Sequence, residues 1–184
     1  MKKKTIYIII GVILALGLII YLLTKIPKKE FDSFTFPETI EVVNHTESKM
    51  VDTMTMVILN KVMGYDEMKI DIYDMPDIFK PSSDDENELI AFIAEVPFED
   101  HRYKIFLKED VRLATLFGVF SHEMVHLKQH EDGRLQVIEG LGYVWEGDSA
   151  LYTEVEYGDR PYEKEAIVES PIIRRKLINI LYKD

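Results

Sequence analysis

The chain has 184 residues, 47% of them hydrophobic and 30% charged, which suits one folded domain rather than a disordered tail. It contains no cysteine, which excludes disulfides, thiolate zinc sites and a cysteine nucleophile. The net charge of −11 is uneven, since the first 29 residues hold six lysines and no acid while the other 155 carry 16 basic and 33 acidic side chains, so we expect no nucleic-acid partner.

An uncharged run opens the chain. Residues 5–24 read TIYIIIGVILALGLIIYLLT, which is long enough to cross the hydrocarbon core as a helix. Lysines flank the run on both sides, and Tyr7 and Tyr21 lie near its ends, where amphipathic rings favour the interface. A cleaved signal peptide is the alternative, but its apolar region is roughly 7–15 residues and a small-residue cleavage site follows it. We therefore predict residues 1–29 to be an uncleaved single-pass anchor.

The orientation of this anchor follows from its flanking charges. The lysines before and after the run are nearly balanced, and the N-terminal amine adds one positive charge to the leading side. This favours a cytoplasmic N-terminus and a domain on the extracytoplasmic side. Residues 30–44 are predicted to be a linker, and 45–184 to form the domain.

The first half of the domain mixes helical and strand patterns. A helix is predicted from residue 44 or 46 to 63, ended by Gly64, because methionines and aliphatic residues recur on one face. Strands are predicted over 68–75, 89–96 and 102–107. The acidic stretch 82–88 is predicted to be a solvated loop rather than a calcium site, because it lacks the EF-hand spacing.

The second half is mostly helical. A long helix is predicted over 110–130, with Asp110 as N-cap, Gly133 after its end, and an apolar stripe of Ala114, Phe117, Phe120, Met124 and Leu127. Strands or a turn are predicted over 135–145. Pro161 fits the first turn of another helix, which Pro171 is expected to interrupt before a last helix over 172–181. This order of elements predicts an α+β domain.

The long helix contains the pattern H-E-x-x-H. Residues four apart share a helical face, so His122 and His126 can both point at one ion, and neutral imidazole is a good ligand for Zn²⁺. Glu123 is rotated about 100° from His122, which can place its carboxylate beside water held by the metal, as general base. The alternative interpretation of this motif is two surface histidines on a charged helix.

A catalytic zinc usually takes three protein ligands, so a third must be found. His130 continues the row, but three ligands along one straight helix drift apart, so we expect it not to bind the ion. Asp132 stands where the metzincin spacing has histidine, without the preceding glycine, and is also disfavoured. A carboxylate from a later helix is the better source, and both Glu163 and Glu165 are available.

Three motifs carry a family resemblance over residues 115–167: the H-E-x-x-H-x-x-Q of His122 to Gln129, Trp145-Glu146-Gly147, and Arg160 to Ala166. Together they resemble gluzincin-type metallopeptidases, and more closely the small bacterial and phage peptidase-like domains. The resemblance implies a zincin-like domain, with a small, mostly antiparallel sheet packed on the motif helix. It also implies Glu163 as third ligand, because Ala166 follows it by three; Glu165, with Glu169 four residues later, is the rival.

The predicted function is zinc-dependent peptide hydrolysis beside a membrane, with Glu123 as catalytic base and His122, His126 and Glu163 as ligands. Two alternatives stay open: a zincin-like module that binds metal or a partner without turnover, and a membrane-anchored, possibly phage-related, assembly protein with no site. Glu123 favours catalysis, because a structural zinc site needs no base. The acidity of the domain leaves a preference for basic substrates open.

Overall fold

The structure is a computed structural model that describes residues 34–76, 90–138, 142–148 and 152–182. The predicted anchor over 5–24 and the acidic loop over 82–88 lie outside these ranges. Within them, none of the helices combines the length and apolarity needed to cross a membrane.

A four-stranded mixed sheet forms one layer of an α+β fold, with the strand order β1-β2-β4-β3. β1 pairs with β2 and β2 with β4 in parallel, whereas β3 is antiparallel to β4. The strands are β1 (Ile40–Asn44), β2 (Met68–Asp74), β3 (Ala91–Glu95) and β4 (Arg102–Leu107). β3 therefore lies at an edge of this sheet.

The prediction of a mostly antiparallel sheet is wrong for this layer. β1 and β2 are joined by a helix that carries the chain back across the sheet, and such a crossover makes the two strands parallel. β1 itself falls inside the predicted linker over 30–44. Its apolar alternation is short, and Ile40 is its one fully buried side chain, so the local pattern was too weak to indicate a strand.

The crossover helix α1 (Lys49–Met56) continues as a π-helical turn over Val57–Met63. Gly64 ends it with φ 81°, a left-handed conformation that glycine adopts without strain, as the sequence predicted. The side chains of Met54, Val57 and Ile58 are fully buried and pack α1 into the main core. The methionine of this group serves as core filler.

The motif helix α2 (Leu113–Glu131) is central to the fold. Phe117, Phe120, Met124 and Leu127 of the predicted stripe are buried, but Ala114 is exposed. The helix also begins later than predicted, with Arg112 as N-cap in place of Asp110. Asp110 has φ 58° and so occupies a left-handed turn, which is incompatible with the extended backbone of an N-cap residue.

A single helix, α3 (Pro161–Tyr182), closes the chain and packs against α2. Pro161 begins it as predicted, but the expected break at Pro171 is wrong. Pro171 lies on the exposed face, where the carbonyl that loses its hydrogen bond can bind water. Buried Ile173, Leu177 and Leu181 keep the second half of the helix in register with the core.

An antiparallel hairpin of β5 (Leu135–Ile138) and β6 (Gly142–Trp145) lies between the two long helices in sequence. Its buried residues, Leu135 and Trp145, join Tyr152 and Tyr162 in a second, smaller core. Because Tyr162 belongs to the first turn of α3, this cluster fixes the start of α3 near the C-terminal half of α2.

The packing of α2 can be tested by comparing a buried phenylalanine with an exposed one. We expect Phe120→Ala to lower the free energy of unfolding by about 3–5 kcal/mol, because the Phe120 ring is fully buried and its loss leaves a cavity. Phe98→Ala is the matched control, since Phe98 is fully exposed, and should change it by less than about 0.5 kcal/mol. Chemical denaturation measures both, and equal effects would contradict the assigned core.

Candidate metal centre

Two helices bring three side chains of the predicted site together. His122 and His126 lie one turn apart on α2, and Glu163 lies in the first turn of α3. Their ligand atoms are all within 4.8 Å of one another, and two of the three residues are buried. These residues lie close enough to bind a metal ion.

The three atoms form a compact triangle. Nε2 of His122 is 3.1 Å from Nε2 of His126, and Oε2 of Glu163 is 3.0 Å from the first and 3.3 Å from the second. Three ligands held at tetrahedral angles about 2.0–2.1 Å from a zinc ion are separated by about 3.3 Å. The edges of the triangle therefore match this donor set around one small cation.

Gln129 determines which nitrogen of His126 carries a proton. Nε2 of Gln129 donates to the backbone carbonyl of Tyr162 at 3.0 Å, and a carbonyl can only accept, so the amide orientation is fixed. Oε1 of Gln129 then faces Nδ1 of His126 at 2.8 Å and must accept a proton from it. In neutral His126, Nε2 is consequently left with a bare lone pair directed at the centre of the triangle.

That lone pair is stabilised only if a positive charge lies beside it. It faces the Glu163 carboxylate oxygen at 3.3 Å, and two acceptors at this distance repel each other unless a cation lies between them. A proton or a metal ion between the two atoms removes this repulsion. The nitrogen and carboxylate donors suit Zn²⁺, and the Gln129 contact is the outer hydrogen bond that metal-binding histidines generally make.

The charges of the centre are coupled. Burial by itself raises the pKa of Glu163, but hydrogen bonds with His122 and His126 outweigh burial and bring this pKa to about 2. Burial is the largest influence on the pKa of His126 and lowers it, but the hydrogen bond with Glu163 and the negative charges of Glu123 and Glu163 together outweigh burial and raise this pKa. The carboxylate is thus held ionised in the presence of positive charge, as a metal ligand must be.

Glu123 is buried beside the triangle and is not one of its corners. Burial raises the pKa of its carboxyl group, while the imidazoles of His126 and His122 oppose the rise. The Ile93 backbone, in edge strand β3, also acts to lower it. Glu123 lines both of the cavities that reach the centre.

Glu165, the rival third ligand, points elsewhere. Its two carboxylate oxygens accept hydrogen bonds from Arg134 at 2.7 and 2.6 Å. Arg134 also binds Glu146 and stacks on Trp145, with its guanidinium carbon 4.4 Å from the ring centroid. The tryptophan and glutamate of the W-x-G stretch thus tie the β5–β6 hairpin to α3 on the side away from the metal centre.

The two disfavoured ligands also lie outside the triangle. His130 has a buried side chain, tilted against the Tyr103 ring, and burial lowers its pKa to about 4. Asp132 caps the C-terminus of α2 and pairs with Lys128.

Tyr157 is a member of the site that the sequence did not single out. Its hydroxyl oxygen is 3.4 Å from Nε2 of His122, and the residue belongs to a short 3₁₀ turn just before α3. Tyr143, Tyr152 and Tyr162 lie nearby in sequence, and nothing local distinguishes Tyr157 from them. Only the fold turns its hydroxyl toward the metal centre.

Two cavities meet at the centre. One of about 440 Å³ lies on the His126 side and is rich in tyrosine, and one of about 920 Å³ lies on the His122 side between α2 and α3. Ala91 of edge strand β3 borders both. Glu123 and Tyr157 also line both cavities, and the two cavities together form the cleft that reaches the centre beside the start of β3.

Comparison with protein-family models, with curated proteins and with solved structures finds no match to this chain. The resemblance to gluzincin-type peptidases accordingly rests on the motif residues alone.

The contact between Gln129 and His126 can be tested through metal affinity. We expect Gln129→Leu to weaken zinc binding by about 10- to 100-fold, because His126 loses the partner that orients its ring and fixes its tautomer. Gln136→Leu is the control, since the side chain of Gln136 is exposed and, within the described residues, donates to the Gly133 carbonyl. Competition against a chromophoric chelator measures both affinities. Equal affinities for the two variants would contradict the role of Gln129.

Proposed function

We propose that this chain is a zinc-dependent metallopeptidase, held at a membrane by residues 5–24 with its domain on the extracytoplasmic side. His122, His126 and Glu163 are the proposed ligands and Glu123 the proposed general base. The observation that carries the proposal is the triangle of 3.0–3.3 Å formed by two imidazole nitrogens and a carboxylate oxygen. The bare lone pair of His126 at its centre supports a cation there.

A zinc ion held by His122, His126 and Glu163 would supply Lewis acidity to a water molecule and to the substrate carbonyl. Glu123 takes a proton from the attacking water as the new carbon–oxygen bond forms. It then gives the proton to the leaving amine as the carbon–nitrogen bond breaks. Glu123 lines both cavities, so its carboxylate is accessible to a substrate that enters either of them.

A peptide substrate is supported by edge strand β3. β3 pairs with β4 along one edge only among the described strands, and its other edge faces the cleft. Unpaired backbone groups on such an edge can bind an extended peptide by adding a strand. A peptide bound in this way passes the metal centre with its backbone carbonyls beside Glu123.

Tyr157 is the proposed electrophilic partner. A hydroxyl 3.4 Å from a metal-binding imidazole is within reach of the oxygen that becomes negative when the carbonyl is attacked. A hydrogen bond to this oxygen strengthens as its charge develops, so it lowers the barrier more than it stabilises bound substrate.

Glu123→Gln tests catalysis separately from metal binding. We expect this variant to retain one zinc ion per chain and to lose peptide cleavage by at least about a hundredfold, because glutamine cannot accept the proton. Glu163→Gln should lose zinc, whereas Glu165→Gln should keep it. Metal analysis and cleavage of a mixed peptide library give both readouts. Zinc without cleavage in the unmutated chain would favour the non-catalytic module, and no zinc would remove the proposal.

Tyr157→Phe tests the proposed oxyanion contact. We expect kcat to fall by about a hundredfold with little change in KM or zinc affinity, since the lost hydrogen bond acts in the transition state. Tyr143→Phe is the control, because Tyr143 shares the smaller cavity with Tyr157 but packs against the Tyr162 ring. A rise in KM at constant kcat would instead make Tyr157 a substrate-binding residue.

A further inference from the structure

The larger cavity is lined mainly by one face of α2 and one face of α3. From α2 it is lined by Gly118, Val119 and His122, and from α3 by Ile167, Ser170 and Arg174. These residues recur at spacings of three or four, so each helix contributes one continuous face. Since Glu163 of α3 meets His122 and Arg174 meets Gly118, the helices run in opposite directions and the cavity extends from the metal centre to Arg174.

The guanidinium of Arg174 lies over Gly118. Its Nη1 is 3.6 Å from the position that a Cβ of Gly118 would occupy, and the missing side chain leaves the guanidinium room against the helix. Gly118 is one turn before His122, about 6 Å along the axis of α2. An extended peptide advances roughly 3.3 Å per residue, so this distance corresponds to about two residues of substrate.

Arg174 differs from two other arginines of the chain, because no aspartate or glutamate among the described residues pairs with it. Arg102 pairs with Asp71 and Glu99, and Arg134 pairs with Glu146 and Glu165. Arg174 forms no ion pair with any acid in the described part of the chain. Its guanidinium donors are therefore available to a ligand that enters the cavity.

Among the described residues, one acid besides Glu123 lines the cavity. Glu156 adjoins Tyr157, whose hydroxyl contacts His122, so Glu156 belongs to the metal end of the cavity. Arg174 lies a helical turn further along and is not paired with it. The charges along the cavity thus differ in sign from one end to the other.

We propose that Arg174 binds a carboxylate of the substrate, within about two residues of the cleaved bond. The carboxylate belongs either to an aspartate or glutamate side chain or to a free C-terminus. This inference rests on the proposed function and names its substrate class. It is opposite to the preference for basic substrates that the acidity of the domain leaves open. A fork of guanidinium donors acts at contact distance, whereas the field of the acidic surface is screened by salt.

Peptide binding tests the proposal. The probes are N-acetylated octapeptides of alanine and leucine, amidated at the C-terminus, with a single glutamate, glutamine or lysine moved along the chain. An all-alanine-and-leucine peptide with a free C-terminus is compared with its amide. Calorimetry on the full zinc-loaded chain carrying Glu123→Gln gives affinities without cleavage. We expect glutamate to bind roughly five- to tenfold more tightly than glutamine at one position, as for a charge-assisted contact in a half-open cleft.

Variants assign the effect to one side chain. Arg174→Gln should abolish the discrimination between glutamate and glutamine, and Arg174→Glu should favour lysine. Arg175→Gln is the matched control, because Arg175 is exposed on the same helix and does not line the cavity. If the free C-terminus and not the internal glutamate shows the effect, the carboxylate comes from the chain end, and the proposal stands.

Equal binding of both members of every matched pair would overturn the proposal, as would a discrimination that survives Arg174→Gln. This failure is separable from failure of the proposed function. Cleavage by the unmutated chain without any preference for carboxylates removes only the role of Arg174. A preference that depends on Arg174, in a chain that cleaves no peptide, leaves a carboxylate-binding cleft without hydrolysis.

Discussion

The site depends on one hydrogen-bonded bridge, which runs from His126 through Gln129 to the Tyr162 carbonyl. The bridge joins the two long helices and orients an imidazole at the same time. Because the carbonyl can only accept, the order of donors along the bridge is fixed, and the free nitrogen of His126 must face Glu163. The bridge therefore couples the orientation of His126 to the packing of α2 on α3.

The rest of the fold supports this constraint. The mixed sheet and α1 bury one side of α2 in the main core, and the hairpin holds the start of α3 through Tyr162 and Trp145. Arg134 binds Glu165 on the outer side of α3, which leaves Glu163 facing α2. A rotation of α3 by half a turn would exchange the two glutamates and leave the histidines without a carboxylate.

The cleft has two chemically different arms. On the His126 side it is aromatic, and on the His122 side it ends at the guanidinium of Arg174. Edge strand β3 passes both arms and offers backbone hydrogen bonds that do not depend on side-chain identity. In the proposed function, the strand would bind the backbone of any extended peptide, and the two ends of the cleft would distinguish among side chains.

The sequence by itself determined what one helix can encode. His122 and His126 share a face because the helix repeats every 3.6 residues. The α+β class follows from the alternation of helical and strand patterns, and the end of α1 follows from the left-handed conformation that Gly64 can adopt. Only the tertiary structure decided whether Glu163 or Glu165 faces the histidines, which tyrosine reaches them, and that the sheet is mixed. The tertiary packing of α3 also decided that this helix continues through Pro171. Those outcomes depend on how separate elements pack, and no spacing within one element specifies the rotation or direction of its neighbour.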